Sequence, residues 1–477
     1  MTRDVRFFVV AAVAAVAVLA VAAVARGQQA SGPYQEAVHY QFGQPRTAVT
    51  AVEARIRAAR PEELKTIEGR LLSILHSPEA TRDAKAWVCR QLRQAGSERS
   101  VEALAPLLAD KDLANEARIA FQSIPGARVD AALRAALGTL QGDLLAGVAQ
   151  TIGVRGDRQA VPLLAPLAAS KDPVVAEAAL FALGHIGGSD ALRAVQAVKV
   201  PESLKRYRWH ALLLCAERIA AEGKAAEALA AYNAAFAEPN DLVIKIAALR
   251  GIVLCDKAKA ASVLTAALKC DEPRLRAAAA KFLCELGSAE PLSTVLTSLP
   301  SMPADTQAMV LSLVADKAAL PAVLKAAEKG GPAVRVAALG ALGRLGSVSS
   351  VGLLLSAAAR DEGEAQAAAR KSLQELRDQE VDPALIAAAE QGKPAERIAA
   401  MQALAARGAV AAVPTLLKAA MGDDSPVQAE SLNALAVLAD PGAVPALVKV
   451  VVESKCEAQR AGAEKAIGLL LGDRVEA

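Results

Sequence analysis

Apolar and small residues recur at helical spacing through most of the chain, and from Leu320 to Val452 that recurrence itself repeats. The segments LPAVLKAAEK from Leu320, VGLLLSAAAR from Val351, DPALIAAAEQ from Asp382, VPTLLKAAMG from Val413 and VPALVKVVVE from Val444 align, so that Pro321, Gly352, Pro383, Pro414 and Pro445 fall 31 residues apart. Val323, Leu354, Leu385, Leu416 and Leu447 keep the same step. A fixed step of about 20–50 residues is the mark of a solenoid. Each period predicts two helices. Pro273, Pro332, Pro394 and Pro426 open the first helix of a pair, and Pro291, Pro321, Pro383, Pro414 and Pro445 open the second. Proline costs nothing there, because the N–H it lacks has no partner in the first helical turn. Gly346 and Gly408 are placed to supply the left-handed residue that ends a first helix. One pair alone would leave much of its apolar surface wet, whereas stacked neighbours bury it. The predicted fold is all-α, a right-handed α-solenoid of about twelve stacked helix pairs.

In chain order, residues 1–26 read as a targeting segment. Phe7 to Ala25 is uncharged and apolar over 19 residues, and Arg26, Gly27, Gln28 and Gln29 follow it. The run is either a cleaved signal peptide, with Ala23-Val24-Ala25 as the small-x-small site, or a retained single-span anchor. Both alternatives keep Arg3 and Arg6 inside and export the body of the protein. Residues 27–76 read as an arm followed by capping helices, in which Ile67, Leu71, Leu72 and Leu75 recur at helical spacing. Regular pairs occupy 77–200 and 242–477. Between them, 201–241 breaks the period with a longer hairpin.

Two motifs carry a resemblance. The run R-x-A-A-x-x-A-L-G-x-L-G from Arg335 to Gly346 and A-V-P-x-L from Ala412 to Leu416 resemble the short bacterial HEAT repeat, also called the phycocyanobilin-lyase HEAT-like repeat. The match runs over Ser77 to Val200 and Leu242 to Asp473. In the hairpin, Ala228, Tyr232 and Ala235, with Pro239 after them, resemble the second helix of a tetratricopeptide repeat. The resemblance implies a scaffold fold that serves many partners, with second helices lining its concave side. Iron-dependent hydroxylases of similar repeats need paired His-Glu motifs, and this sequence has none.

Composition sharpens the picture. The chain is 53% hydrophobic but 3% aromatic, so Ala, Leu and Val fill the interior, which suits many thin layers. Its 54 basic and 51 acidic residues give a net charge of +3, with no electrostatic call for nucleic acid. The four histidines, His39, His76, His185 and His210, lack metal-ligand spacing, and the six cysteines form no CxxC and no CxxCH. Cys255 and Cys284 read as buried small apolar residues of adjacent units. No cofactor or metal is expected, and no phosphate loop or G-x-S-x-G elbow is present.

Three sets of side chains are candidates for contact. Arg335, Gln366, Arg397, Gln428 and Gln459 form a polar column on first helices, continued upstream by Arg118, Lys245 and Arg276. This column reads as a hydrogen-bond ladder that keeps the stack in register. On second helices the column Lys325, Ser356, Ala387, Lys418 and Lys449 offers three lysines to an acidic partner. The hairpin offers Lys205, Arg206, Arg208 and Trp209. The expected function is a non-catalytic protein-interaction scaffold of the bacterial envelope, periplasmic or tethered to the inner membrane through the N-terminal segment alone, with an exported protein partner. Two alternatives stand beside it. One is a lyase-like subunit that handles a chromophore, and the other is a mechanical or anchoring envelope component.

Overall fold

The computed structural model describes residues 32–238, 241–286, 289–345, 347–454 and 456–472. The apolar segment Phe7–Ala25, Arg26, Pro239 and Gly346 lie outside the described residues. Among those described, every regular element is helical. The chain divides into two compact units, 1–244 and 245–477.

In the first unit a short helix, Pro33–Ala37, packs on the helices Thr47–Ala58 and Pro61–His76, and so covers them. The arm is pinned rather than extended. Tyr40 is buried, Thr81 N donates to Val38 O at 3.1 Å, and Arg46 Nη1 donates to Tyr40 Oη at 3.0 Å. First helices Arg82–Ala95, Ala114–Ser123, Gly142–Arg155 and Pro173–Ile186 then pack in succession on one another. The hairpin continues this stack instead of interrupting it. Its long helix Glu202–Ala221 lies against Pro173–Ile186, and Ala228, Tyr232 and Ala235 of Ala225–Ala237 are buried on its other partner face.

Glycine sets how closely first helices approach. A Cβ on Gly153 would lie 2.6 Å from Ala182 Cα of the next first helix, and one on Gly184 would lie 2.9 Å from Ala211 Cα. These two glycines are 31 residues apart. Gly156 and Gly408 end their helices at φ +70°, the left-handed conformation that a side chain would strain.

The second unit repeats the pattern, with Pro332–Leu345, Gly363–Glu375, Pro394–Arg407 and Ser425–Leu438 as successive first helices. The aligned positions Val323, Leu354, Leu385, Leu416 and Leu447 are all 0% exposed, which places the period's apolar column in the core. One unit is irregular. Pro291 and Pro321 are 30 residues apart rather than 31. Between them Ala289–Ser298 runs into a 3-10 turn, Leu299–Ser301, and the following first helix, Ala304–Leu313, has 10 residues where Pro332–Leu345 has 14.

Candidate partner-binding surface

The polar column of first helices forms the ladder that its spacing predicts. Arg335 donates to Ala327 O and, through Nε, to Asp361 Oδ2 at 2.8 Å. Gln366 Nε2 donates to Ala358 O at 3.2 Å, Arg397 Nε to Ala389 O at 2.9 Å, and Gln428 Nε2 to Gly422 O. Gln459 Nε2 reaches back to Ala420 O at 2.5 Å. Ala327, Ala358, Ala389 and Ala420 lie in the last turn of a second helix, where carbonyls have no intrahelical donor, and Gly422 lies just past the end of Val413–Ala420. Arg and Gln share the column because each supplies an N–H to such a carbonyl. Upstream, Arg276 Nη1 donates in a similar way to Cys270 O at 3.0 Å, whereas Arg118 Nη2 turns to Asn115 Oδ1 of its own helix at 3.2 Å, a correction to its place in the ladder. These side chains are therefore occupied in holding the stack.

A second set of arginines does similar work and carries no regular 31-residue step. Arg155 Nη1 donates to Phe121 O at 2.5 Å and Ile124 O at 2.6 Å, capping the preceding first helix. Arg344 Nη2 donates to Ser312 O at 2.8 Å and Leu311 O at 3.1 Å. Arg407 Nη1 donates to Leu376 O at 2.6 Å and Leu373 O at 3.0 Å, while its Nε meets Asp382 Oδ1 at 2.5 Å. A cation at a helix C-terminus is favourable, and only a guanidinium has the fork to serve several carbonyls at once. Arg407 is 11% exposed, and charged hydrogen bonds of this kind contribute about 1.5–3 kcal/mol. Arg407→Ala is expected to lower the stability of the second unit by about 2–3 kcal/mol in urea titration, and Arg407→Lys to restore less than half of that, since an ammonium cannot bridge the set.

The hairpin residues are less available than their sequence suggests. Trp209 is 7% exposed, a correction to its reading as a presented contact, because Glu202–Ala221 packs on both neighbours and takes the indole inward. Arg208 stacks over that ring at 4.9 Å, and its Nε and Nη2 donate to Val195 O at 2.9 Å and Gln196 O at 3.0 Å. Lys205 pairs with Glu202 at 2.6 Å and Arg206 with Asp241 at 3.7 Å. The groove beside them, about 570 Å³, is lined by Glu202, Glu238 and Asp241 as well as by the bases, so the two signs largely offset.

Lysines of the second-helix column divide. Lys418 Nζ lies 2.7 Å from Glu390, and its ammonium holds that carboxyl below the usual range. Lys449 sits 3.8 Å from Glu453 one turn away. Lys325 instead lines an open groove of about 710 Å³ between the second helices Ala289–Ser298 and Leu320–Lys329. Leu296, Leu299 and Pro300 form one wall, Pro321, Ala322 and Ala326 the other, and Lys329 stands beside Lys325. Among the described residues that line it there is no Asp or Glu. The groove lies at the irregular unit, where the 3-10 turn carries Leu299 and Pro300 past the end of one second helix and the first helix that follows is short.

Nothing in this arrangement gathers reactive groups. Among the described residues, no cluster of three His, Cys, Asp or Glu side chains could hold a metal ion. His185 stacks on Phe181 at 3.8 Å and shares a 2.9 Å hydrogen bond with that residue's carbonyl. All six cysteines are free thiols. Cys255 and Cys284 are half-buried, a correction to their reading as core residues, because both sit in the final turns of their helices. Burial pushes the Cys89 and Cys215 thiols up to about 12. At neutral pH, alkylation followed by mass spectrometry is expected to mark exposed Cys456 first and to leave Cys89 and Cys215 unmodified until the chain unfolds. Their folded pKa lies above the ordinary 9.0, so their contribution to stability is full below pH 9 and is lost as pH rises from there toward about 12. Denaturation midpoints should fall across that window, and less steeply in Cys89→Ala.

Comparison with known proteins gives fold-level likeness alone. No protein-family model matches the chain, and no curated protein matches it. Among solved structures, it is similar to Kap95p bound to RanGDP, at 13% identity and a TM-score of 0.42, over 93% of this chain and 67% of that one. It is also similar to Kap95 in complex with Nup1, at 12% identity and a TM-score of 0.44, over 92% and 67%. A third is the karyopherin Kap121p bound to the extreme C-terminus of the phosphatase Cdc14p, at 13% identity and a TM-score of 0.37, over 100% and 70%. The described residues form an all-α solenoid of stacked helix pairs. The chain spans about two thirds of the length of those structures. No described helix is long and apolar enough to cross a membrane.

Proposed function

We propose that the chain is a non-catalytic protein-interaction scaffold of the bacterial envelope, and that it presents second-helix surface of the unit 245–477 to an exported protein partner. The observation that carries the reading is a division of labour among charged side chains. The ladder and the capping arginines are consumed by backbone carbonyls, whereas Lys325 and Lys329 stand at an open, partly apolar groove with no carboxylate among the described residues that line it. Repeat stacks offer extended surfaces of this kind, since each layer adds area without changing the core. The envelope assignment rests on the apolar run Phe7–Ala25 and its basic leading flank.

The test is affinity capture from the native envelope with the full chain as bait, read by quantitative mass spectrometry. One or two exported proteins retained in stoichiometric amount support the scaffold. A blank capture, or a coloured small molecule in place of protein, overturns it.

A further inference from the structure

The groove between Ala289–Ser298 and Leu320–Lys329 has chemistry specific enough to name its occupant. Its two walls are built from Leu296, Leu299 and Pro300 on one side and Pro321, Ala322 and Ala326 on the other. Four of the six are proline or alanine, so little side-chain entropy opposes insertion of a bulky apolar group. The floor is backed by core: Val295, Leu299 and Val323 are 0%, 3% and 0% exposed. At its rim Lys325 and Lys329 stand one turn apart on a single helix, with positive charge uncompensated within the lining. Gln307, whose Nε2 donates to Met302 O at 2.9 Å, steadies the turn that carries Leu299 and Pro300.

The other sizeable grooves differ in this respect. The one beside the hairpin mixes three acids with its bases, and the one around Arg344 and Arg407 holds Glu375 and turns those two guanidinia to carbonyls. The groove at Lys325 joins apolar walls to two lysines, with no carboxylate among the described residues that line it. A partner segment that fits it carries leucine-like side chains for the walls and carboxylates for the rim.

We propose that this groove binds a short partner segment alternating aliphatic and acidic residues, the aliphatic ones seated between Leu296–Pro300 and Pro321–Ala326 and the acidic ones paired with Lys325 and Lys329. The proposal rests on the scaffold reading and narrows it to one site and one partner chemistry. A rim of two exposed lysines contributes modestly per pair, so the apolar seat and the charges act together.

Fluorescence anisotropy with the full chain tests it, using a fluorescein-labelled peptide that alternates Leu and Glu. Saturable binding is expected. It should weaken about tenfold in the double variant Lys325→Glu, Lys329→Glu, and by a similar factor in Ala322→Trp, which fills the seat without touching the charge. Lys418→Glu should leave it unchanged, and all variants should melt as the parent does. Equal affinity for the parent and both groove variants overturns the proposal. So does equal binding of a Leu–Lys peptide, of polyglutamate lacking leucine, or the finding that the groove variants abolish self-association of the chain instead. A stoichiometric envelope partner still retained by the charge-reversed chain overturns this groove while the scaffold stands. Peptide binding of the expected specificity together with a blank capture supports the groove and overturns the scaffold.

Discussion

Leu416→Asp should abolish the cooperative melting of the unit 245–477. Leu416 is 0% exposed and lies in the aligned apolar column of the second helices, on Val413–Ala420, which packs against the first helix Ser425–Leu438. Truncating a buried leucine to alanine costs about 3–5 kcal/mol. Aspartate adds an ionised group with no partner in a wall of alanine and leucine, so the total exceeds about 5 kcal/mol, comparable with the whole stability of a domain. In a solenoid each layer is held by its neighbours, so the damage spreads outward from the site. Hydrogen exchange should show protection lost first in the helices flanking 413–420. The unit 1–244 should keep its own transition. A melting curve for Leu416→Asp that overlays the parent would show that position 416 is not core and that the register of the column is wrong. Leu416→Ala is the graded companion, expected to lose about 3 kcal/mol while keeping a single transition.

That prediction draws on a column visible in the sequence, and the contrast with what was not visible is instructive. Period, helix pairing, the proline starts and the register of Val323 through Leu447 are local and repetitive, so they survive without coordinates. The ladder was legible over Arg335, Gln366 and Arg397, where an N–H donor every 31 residues meets the carbonyl eight residues before it, whereas Gln459 reaches back 39 residues to Ala420. Trp209 was not. The helix Glu202–Ala221 buries residues on several faces, and no periodicity distinguishes an indole packed inward from one held out. The arginine caps escaped notice for a different reason. Arg155, Arg344 and Arg407 act 31 to 34 residues back along the chain, with no fixed slot relative to the terminating glycine. The groove lies at a one-residue shortfall between Pro291 and Pro321. The shortfall can be counted, but a lining that gathers Leu299 and Pro300 with Pro321 and Lys325 is a tertiary outcome. Charge availability is likewise tertiary: Lys325, Lys418 and Lys449 are equivalent in the alignment, yet Lys418 and Lys449 stand beside carboxylates while Lys325 lines a groove with none among its described residues.

Close approach of first helices makes the other large effect. Gly153→Leu should destabilise the unit 1–244 by about 3 kcal/mol or more. A Cβ at 153 would stand 2.6 Å from Ala182 Cα, a backbone atom of the facing helix that no rotamer change can move aside. The helices Gly142–Arg155 and Pro173–Ile186 would have to part. They share the most extensive contact in the unit, where Val148, Ala149, Ile152, Ala178 and Ala182 are each 0% or 1% exposed, so separation exposes or loosens all of them. Even Gly153→Ala should lose stability, although alanine is the better helix former by about 1 kcal/mol. Gly69 provides the opposite sign. It lies within the helix Pro61–His76 with nothing inside 4 Å of a built Cβ, so Gly69→Ala should gain about 0.5–1 kcal/mol. In a unit of this size those changes correspond to melting shifts of roughly 2–4 °C per kcal/mol. Differential scanning calorimetry of the three variants separates the two causes. If Gly153→Ala and Gly69→Ala both raised the melting temperature, helix propensity alone would govern these glycines and the close approach would play no part. If Gly153→Ala lowers it while Gly69→Ala raises it, the spacing of successive first helices is set by the absence of a side chain at 153, and the matching contact of Gly184 with Ala211 explains why the same residue returns 31 positions later.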